Sequence, residues 1–409
     1  MTYLPALHQK CPDVSAEDVP LNPRPNSPEA RTRRRRILIV AGEASGDLHG
    51  ADLAEQILAR DPSVELFGIA GEHMKAAGVR PLVNLEEIAG MGGLELLSTL
   101  RRTVGALRAM RRLVRKDPPD LAILIDYAEF NMMLARSARR ARVPVLYYIT
   151  PQVWAWRRGR IRKLAARTDQ MAVVFPFEAD LFASKGGRAT FVGHPLLDRV
   201  SPSQGRKETL ARHGLESNAK LLAILPGSRR GEIRYLMRPM AEAARILAKN
   251  HGLTPIVALA PTLSTADLRV AAGQSGLDGL RIIEGDTYSI IAASEVALVA
   301  SGTATLETAL LGCPMVIAYK MSASSYVLGR LLVTGVEFIG MPNILAQRRV
   351  VPELIQWEVT AANLVRAAEA MLAEPTRNQT AAALKSIRQS LGVSGAAGRV
   401  AEMALGMVG

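Results

Sequence analysis

Several stretches of this 409-residue chain place polar side chains where phosphate or hydroxyl chemistry is done. The first, Gly42-Glu43-Ala44-Ser45-Gly46-Asp47, follows the apolar run Ile37–Ala41 and opens a helical stretch to about Arg60. Glycines let a backbone pass close to a ligand, and a helix N-terminus favours an anion. It is not a Walker motif, because no Gly-Lys-Ser/Thr follows, and the spacing of Gly42, Gly46 and Gly50 is not the dinucleotide fingerprint. A plain turn with Ser45 or Asp47 capping the helix explains it as well. The second is Asp126, which closes the run Leu121–Ile125 and precedes Tyr127-Ala128-Glu129-Phe130-Asn131. A carboxylate at a strand's carboxyl end suits catalysis or hydroxyl binding; the alternative is a helix cap. The third, Pro226-Gly227-Ser228-Arg229 after Leu221–Leu225, offers backbone N–H groups and a guanidinium, which is what a pyrophosphate needs. The fourth, Ser301-Gly302-Thr303-Ala304-Thr305-Leu306-Glu307 after Val296–Val299, offers amides and hydroxyls to phosphate. Glu307, one turn on, is placed to accept from ribose hydroxyls, or is an ordinary glutamate on a capped helix. A fifth stretch, Tyr147–Arg158, holds Trp154 and Trp156 beside arginines. It suits base stacking, a sugar platform, an interfacial anchor or simple core packing.

The elements that position these residues are short apolar runs alternating with longer helical stretches. One series comprises Ile37–Ala41, Leu66–Ile69, Leu121–Ile125, Val145–Ile149, Met171–Phe175 and Thr190–Val192. A second comprises Leu221–Leu225, Pro255–Ala260, Arg281–Ile283, Val296–Val299 and Met315–Tyr319. Strands alternating with helices mean parallel sheets, so the expected fold class is α/β, with two Rossmann-like, doubly wound domains facing across a cleft. The expected domains are residues 37–198 and 199–360, with a seam near His194–Ser203 and alanine-rich helices over 361–409. Residues 1–36, rich in proline and arginine, read as a disordered extension. In open α/β sheets ligands bind beyond the carboxyl ends of the strands, which is where the motifs stand.

Composition narrows the class. A hydrophobic content of 48% and a charged content of 22% fit a packed globular protein. No apolar run is long enough to span a bilayer, and two cysteines make neither a disulfide framework nor a cysteine-rich zinc site. No signal-like segment opens the chain, which points to the cytoplasm. The net charge of +13 is concentrated in residues 94–116 and 157–167. An anionic partner follows: nucleic acid, a phosphorylated substrate or an anionic membrane surface. In the first segment Leu94, Leu96, Leu97, Leu100, Val104 and Leu107 lie among Arg101, Arg102, Arg108, Arg111, Arg112 and Arg115. This is an imperfectly amphipathic helix, either interfacial or a core helix with its arginines in water.

Together, in this order and spacing, the motifs resemble the lipid-A-disaccharide synthase family, glycosyltransferases of two-Rossmann-domain (GT-B) architecture. The resemblance runs from about Ile37 to the C-terminal helices. It rests also on Val153-Trp154-Ala155-Trp156-Arg157, on Pro342-Asn343 and on Val351-Pro352-Glu353-Leu354. It implies an inverting transfer from UDP-2,3-diacylglucosamine to 2,3-diacylglucosamine 1-phosphate (lipid X), forming a β-1,6 disaccharide and releasing UDP. It implies Asp126 and Glu43 as catalytic carboxylates, with the base left open between them. Ser45, Gly46, Gly227, Ser228, Arg229, Ser301, Gly302, Thr303, Ala304, Glu307 and Asn343 are the expected substrate and UDP contacts. Leu94, Leu97, Leu100, Val104, Leu107, Arg101 and Arg102 are the expected membrane and acyl-chain face. No cofactor is expected, and no Asp-x-Asp motif stands at a strand end, so metal-independent catalysis is expected. The implied location is the cytoplasm, at the inner face of the cytoplasmic membrane, as a monomer or homodimer. A UDP-sugar 2-epimerase of the same architecture would explain the UDP motifs but not the apolar-basic segment. A nucleic-acid binder would use the charge and leave the strand-end motifs unexplained, so no nucleic-acid partner is expected.

Overall fold

The structure is a computed structural model that describes residues 34–88, 96–156, 158–273, 276–323, 326–327 and 337–408. The expected N-terminal extension lies outside the described residues up to Arg33, as does Leu94; of Leu97 only the backbone is described. Arg36, assigned to that extension, instead begins the first strand. Its guanidinium pairs with Asp117 at 2.8 Å and lies over the Phe67 ring.

The described chain divides into two compact units, residues 34–195 with 395–408, and residues 196–394. The first holds β1 (Arg36–Val40), β2 (Glu65–Ala70), β3 (Arg80–Asn84), β4 (Leu121–Ile125), β5 (Val145–Tyr148), β6 (Gln170–Val173) and β7 (Ala189–Phe191). They form one parallel sheet in the order β3-β2-β1-β4-β5-β6-β7. The second holds β8 (Lys220–Leu225), β9 (Leu253–Leu259), β10 (Arg281–Glu284), β11 (Ser294–Ala300), β12 (Met315–Tyr319) and β13 (Glu353–Ile355). Their order is β10-β9-β8-β11-β12-β13, again parallel. The α/β class with two doubly wound sheets is as expected. Central strands such as β4 are buried along their whole length, as helices on both faces require.

In each sheet the strand order reverses once, between β1 and β4 and between β8 and β11. Such switch points open a crevice at the carboxyl ends of the strands. The four phosphate- and hydroxyl-type motifs follow β1, β4, β8 and β11. The topology thus gathers them into two pairs, one per unit.

Two strands escaped the sequence pattern, β3 and β13. Both lie at sheet edges and are short, and β3 carries Arg80 and Pro81 on an exposed start, so neither shows a continuous apolar run. The C-terminal helices divide between the units. Ala361–Leu372 packs on helix Arg230–His251 in the second unit, while Ala396–Val408 packs on helix Ala44–Arg60 in the first.

Helix Leu96–Lys116 corrects one expectation. Ala106, Leu107, Ala109, Met110, Leu113 and Val114 are buried in the first unit's core. Leu107 is therefore not available to lipid: burial of a leucine is worth ~1.5–3 kcal/mol to the fold. Only the N-terminal part shows apolar side chains to solvent, with Leu100 59% and Val104 36% exposed and Arg101 and Arg102 beside them.

Candidate functional site: two switch-point crevices

The first crevice is built on the turn after β4. Asp126 and Tyr127 both adopt left-handed backbone, with φ of 47° and 45°. For residues other than glycine this costs ~1–2 kcal/mol each. Three hydrogen bonds hold the turn. The Tyr147 hydroxyl donates to the Asp126 carbonyl at 2.5 Å, and the Asn131 amide donates to the carbonyls of Ile125 and Asp126, both at 3.0 Å. Tyr127 lies against Gly42, where a Cβ would meet its ring at 1.9 Å, so only glycine fits there. This close approach couples the turn after β4 to the turn after β1.

The geometry gives the two carboxylates different characters. Asp126 is half-buried, and its pKa is pushed up to about 6, mainly by burial and then by the negative charge of Glu43. Glu43 is exposed at the start of helix Ala44–Arg60 and makes no capping bond. A carboxylate titrating near neutrality is suited to taking a proton. Ser45 is exposed beside Glu43, and Gly46 is buried against Ala41 and Ile125. Asp47 is buried and accepts from the amides of Gly71, His73 and Met74, so it anchors a neighbouring loop. Thr103, on helix Leu96–Lys116, hydrogen-bonds the Tyr127 side chain. The exposed Leu100 and Val104 are thereby on the helix that touches this turn.

The second crevice lies between the turns after β8 and β11. Gly227 has φ 118°, and a Cβ there would come within 2.4 Å of Glu232 Oε2. Ser228 and Arg229 are exposed; the Ser228 amide donates to Glu232 Oε2 at 3.0 Å, and Arg229 pairs with Glu232 Oε1 at 3.0 Å. The carboxylate of Glu232 thus sits where the turn holds an anion, at the head of helix Arg230–His251. After β11, Ser301 donates to the Ile339 carbonyl at 3.3 Å, and Gly302, φ 156°, turns the chain into helix Thr303–Leu310. Thr303 is exposed and Ala304 half-buried. Glu307 is half-buried, with its pKa raised by burial, and accepts from the Tyr288 hydroxyl at 2.9 Å.

Asn343 is placed differently from the other expected UDP contacts. It is fully buried, its amide donates to Val351 O and Glu353 Oε1, and its oxygen accepts from the amides of Val350 and Val351. All of its hydrogen-bonding capacity is spent inside the fold. Glu353 in turn accepts from the amides of Ile339 and Gly340. The Pro-Asn and Val-Pro-Glu-Leu motifs are one internal lock that fixes the segment Ser301 leans on. Trp154 also packs: its ring stands edge-on to Phe175 and Phe177, and its indole donates to buried Glu178 at 3.0 Å. The Trp156 side chain and Arg157 lie outside the described residues. Tyr288, Glu178 and Glu232 were not singled out in the sequence, and Tyr147 entered only as the first residue of the aromatic stretch. A tyrosine in an apolar strand and a glutamate in a helix carry no spacing signal; Glu232, three residues after Arg229, is the one an i,i+3 pairing rule would have found.

Two parallel α/β units, each with its polar motifs at the switch point of a doubly wound sheet, define the GT-B class of fold. Among solved structures, a UDP-GlcNAc 2-epimerase from Neisseria meningitidis bound to UDP-GlcNAc is similar at a TM-score of 0.63 and 13% identity, covering 91% of this chain and 100% of that one. The calicheamicin glycosyltransferase CalG4 is similar at 0.58 and 16%, covering 92% and 98%. At such identities the likeness is one of fold. The particular family comes from the sequence: the profile described as lipid-A-disaccharide synthetase matches residues 37–400. Lipid-A-disaccharide synthases of Geobacter metallireducens and Syntrophus aciditrophicus are 45% and 44% identical, covering 92% and 91% of this chain and 98% and 97% of theirs. The chain belongs to the lipid-A-disaccharide synthase family.

Proposed function

We propose that this chain joins two acylated glucosamine units, taking the sugar of UDP-2,3-diacylglucosamine onto the 6-hydroxyl of 2,3-diacylglucosamine 1-phosphate and releasing UDP. The observation that carries the mechanism is the state of Asp126: half-buried, pinned through its own carbonyl and titrating at about 6. Asp126 takes the proton of the attacking hydroxyl. Glu43 acts on it electrostatically, keeping its proton affinity high enough for general-base work. On the second unit the turn Gly227-Ser228-Arg229 and the start of helix Thr303–Leu310 take the pyrophosphate charge that develops on departing UDP, and Glu307 takes the ribose.

The acceptor and donor both carry acyl chains, and the exposed Leu100 and Val104 beside Arg101 and Arg102 supply a face for them and for an anionic membrane surface. No helix among the described residues is long and apolar enough to cross a membrane, so the proposed association is peripheral, at the inner face of the cytoplasmic membrane. The test is product analysis with both acylated substrates in detergent. Disaccharide 1-phosphate and UDP in equal amounts support the reading; epimerisation of UDP-GlcNAc without an acceptor would replace it.

A further inference from the structure

Glu307 is under-supplied with donors. A carboxylate offers about four acceptor positions. Among the described residues its hydrogen bond comes from the Tyr288 hydroxyl, and no cation pairs with it. Burial raises its proton affinity, and Tyr288 alone works against that. A ligand presenting two adjacent hydroxyls supplies what is missing.

Tyr288 is itself firmly placed. It stands on helix Thr287–Ala292, whose first residue follows Asp286. Asp286 is buried; Ser203 Oγ donates to its Oδ1 at 3.3 Å, and His213 Nε2 at 2.8 Å and Arg212 at 4.0 Å lie by its Oδ2. Burial and Glu307 hold the phenol protonated far above neutrality, so it remains a donor throughout the working range. Its hydroxyl reaches Glu307 Oε1 and leaves Oε2 without a partner among the described residues.

We infer that Tyr288 is a positioning residue for nucleotide recognition: by occupying Oε1 of Glu307 it presents the remaining oxygen to a vicinal diol, and so sets the preference for a ribonucleotide. This rests on the assignment of the second crevice to UDP. Charged groups near the pair include Asp286, His213 and Arg212, and Arg199, whose charge also acts on Tyr288; Arg388 donates to the Leu310 carbonyl at the far end of the Glu307 helix.

The experiment is calorimetric binding of UDP and of 2′,3′-dideoxy-UDP to the full chain, as wild type, Tyr288→Phe and Glu307→Ala. In Tyr288→Phe the affinity for UDP is expected to fall about two- to tenfold, the range of one hydrogen bond, while the dideoxy analogue binds as before. Loss of the Tyr288 donor also raises the pKa of Glu307 further, so the decline of UDP affinity on acidification begins at a higher pH than in wild type. Equal weakening of both nucleotides, or no weakening of UDP, would overturn the inference. Glu307→Ala separates the two levels. If it leaves the preference for UDP over the analogue intact, the ribose assignment of the crevice fails. If it removes the preference while Tyr288→Phe keeps it, only the role of Tyr288 fails.

Discussion

The two crevices occupy equivalent places in their sheets yet are built in opposite ways. At the β1–β4 switch the key carboxylate is held in left-handed backbone, half-buried, its carbonyl clamped by Tyr147 and Asn131. At the β8–β11 switch Ser228, Arg229, Gly302 and Thr303 are exposed, and among the described residues Arg229 is tied to Glu232. The difference fits the proposed division of labour, proton transfer at the first switch and nucleotide binding at the second. Proton transfer needs a group whose proton affinity is displaced from its value in water, which requires burial and a rigid support. Binding a pyrophosphate needs donors that stay charged and reachable, and desolvating them in advance would waste their interaction with the ligand.

The largest expected effect tests the first half of this contrast. Asp126→Asn removes the proton acceptor while keeping the shape, and turnover should fall ~100- to 10,000-fold with UDP affinity nearly unchanged. Steady-state kinetics beside UDP calorimetry reads both; turnover within a few-fold of wild type would reduce Asp126 to a turn residue. The mirror experiment is Arg229→Ala. Loss of charge-assisted bonds to the pyrophosphate, on the order of 1.5–3 kcal/mol, should weaken UDP binding ~10- to 100-fold and leave the pH dependence of turnover in place. Unchanged affinity would move the nucleotide away from the β8 turn.

Exposure sharpens the comparison further. Leu100→Ser with Val104→Ser should lower binding to anionic lipid vesicles about tenfold without lowering thermal stability, because neither side chain is in the core. Leu107→Ser, one turn along the same helix, should instead destabilise the fold. Equal vesicle binding by the double variant would remove this face from the account. The last effect is on stability and not on rate or affinity. The folded state holds the Asp126 proton more tightly than the unfolded chain does, so this group favours folding below pH ~4 and loses that advantage as pH rises through about 6. Asp126→Asn should therefore be more stable than wild type at pH 8, by about 3 kcal/mol, and about equally stable at pH 4. Arg229→Ala should show no such pH-dependent gain.

Much of this was legible in the chain itself. The buried central strands announce themselves because residues covered on both faces must be apolar throughout, and the motifs that follow them are visible as breaks in that pattern. The edge strands Arg80–Asn84 and Glu353–Ile355 were not, since an edge needs no continuous apolar run. Roles that depend on direction were hidden as well. Asn343 carries a family motif, but its being spent on Val350, Val351 and Glu353 depends on a turn that forms only in the fold. Leu107 and Leu100 belong to one amphipathic pattern, and only the packing of Ala106 and Met110 decides which of them faces the core. The proposed choice of Asp126 over Glu43 as base rests on burial, which spacing does not record.

The assignment of the base to Asp126 is the central claim. The pH dependence of kcat/KM for wild type, Glu43→Gln and Asp126→Asn tests it directly. Wild type should lose activity on the acid side with a midpoint near the Asp126 value of about 6. In Glu43→Gln the limb should persist and move to lower pH, because the negative charge that raises the Asp126 pKa is gone. An acid limb that vanishes in Glu43→Gln, or that survives unmoved in Asp126→Asn, would assign the base elsewhere.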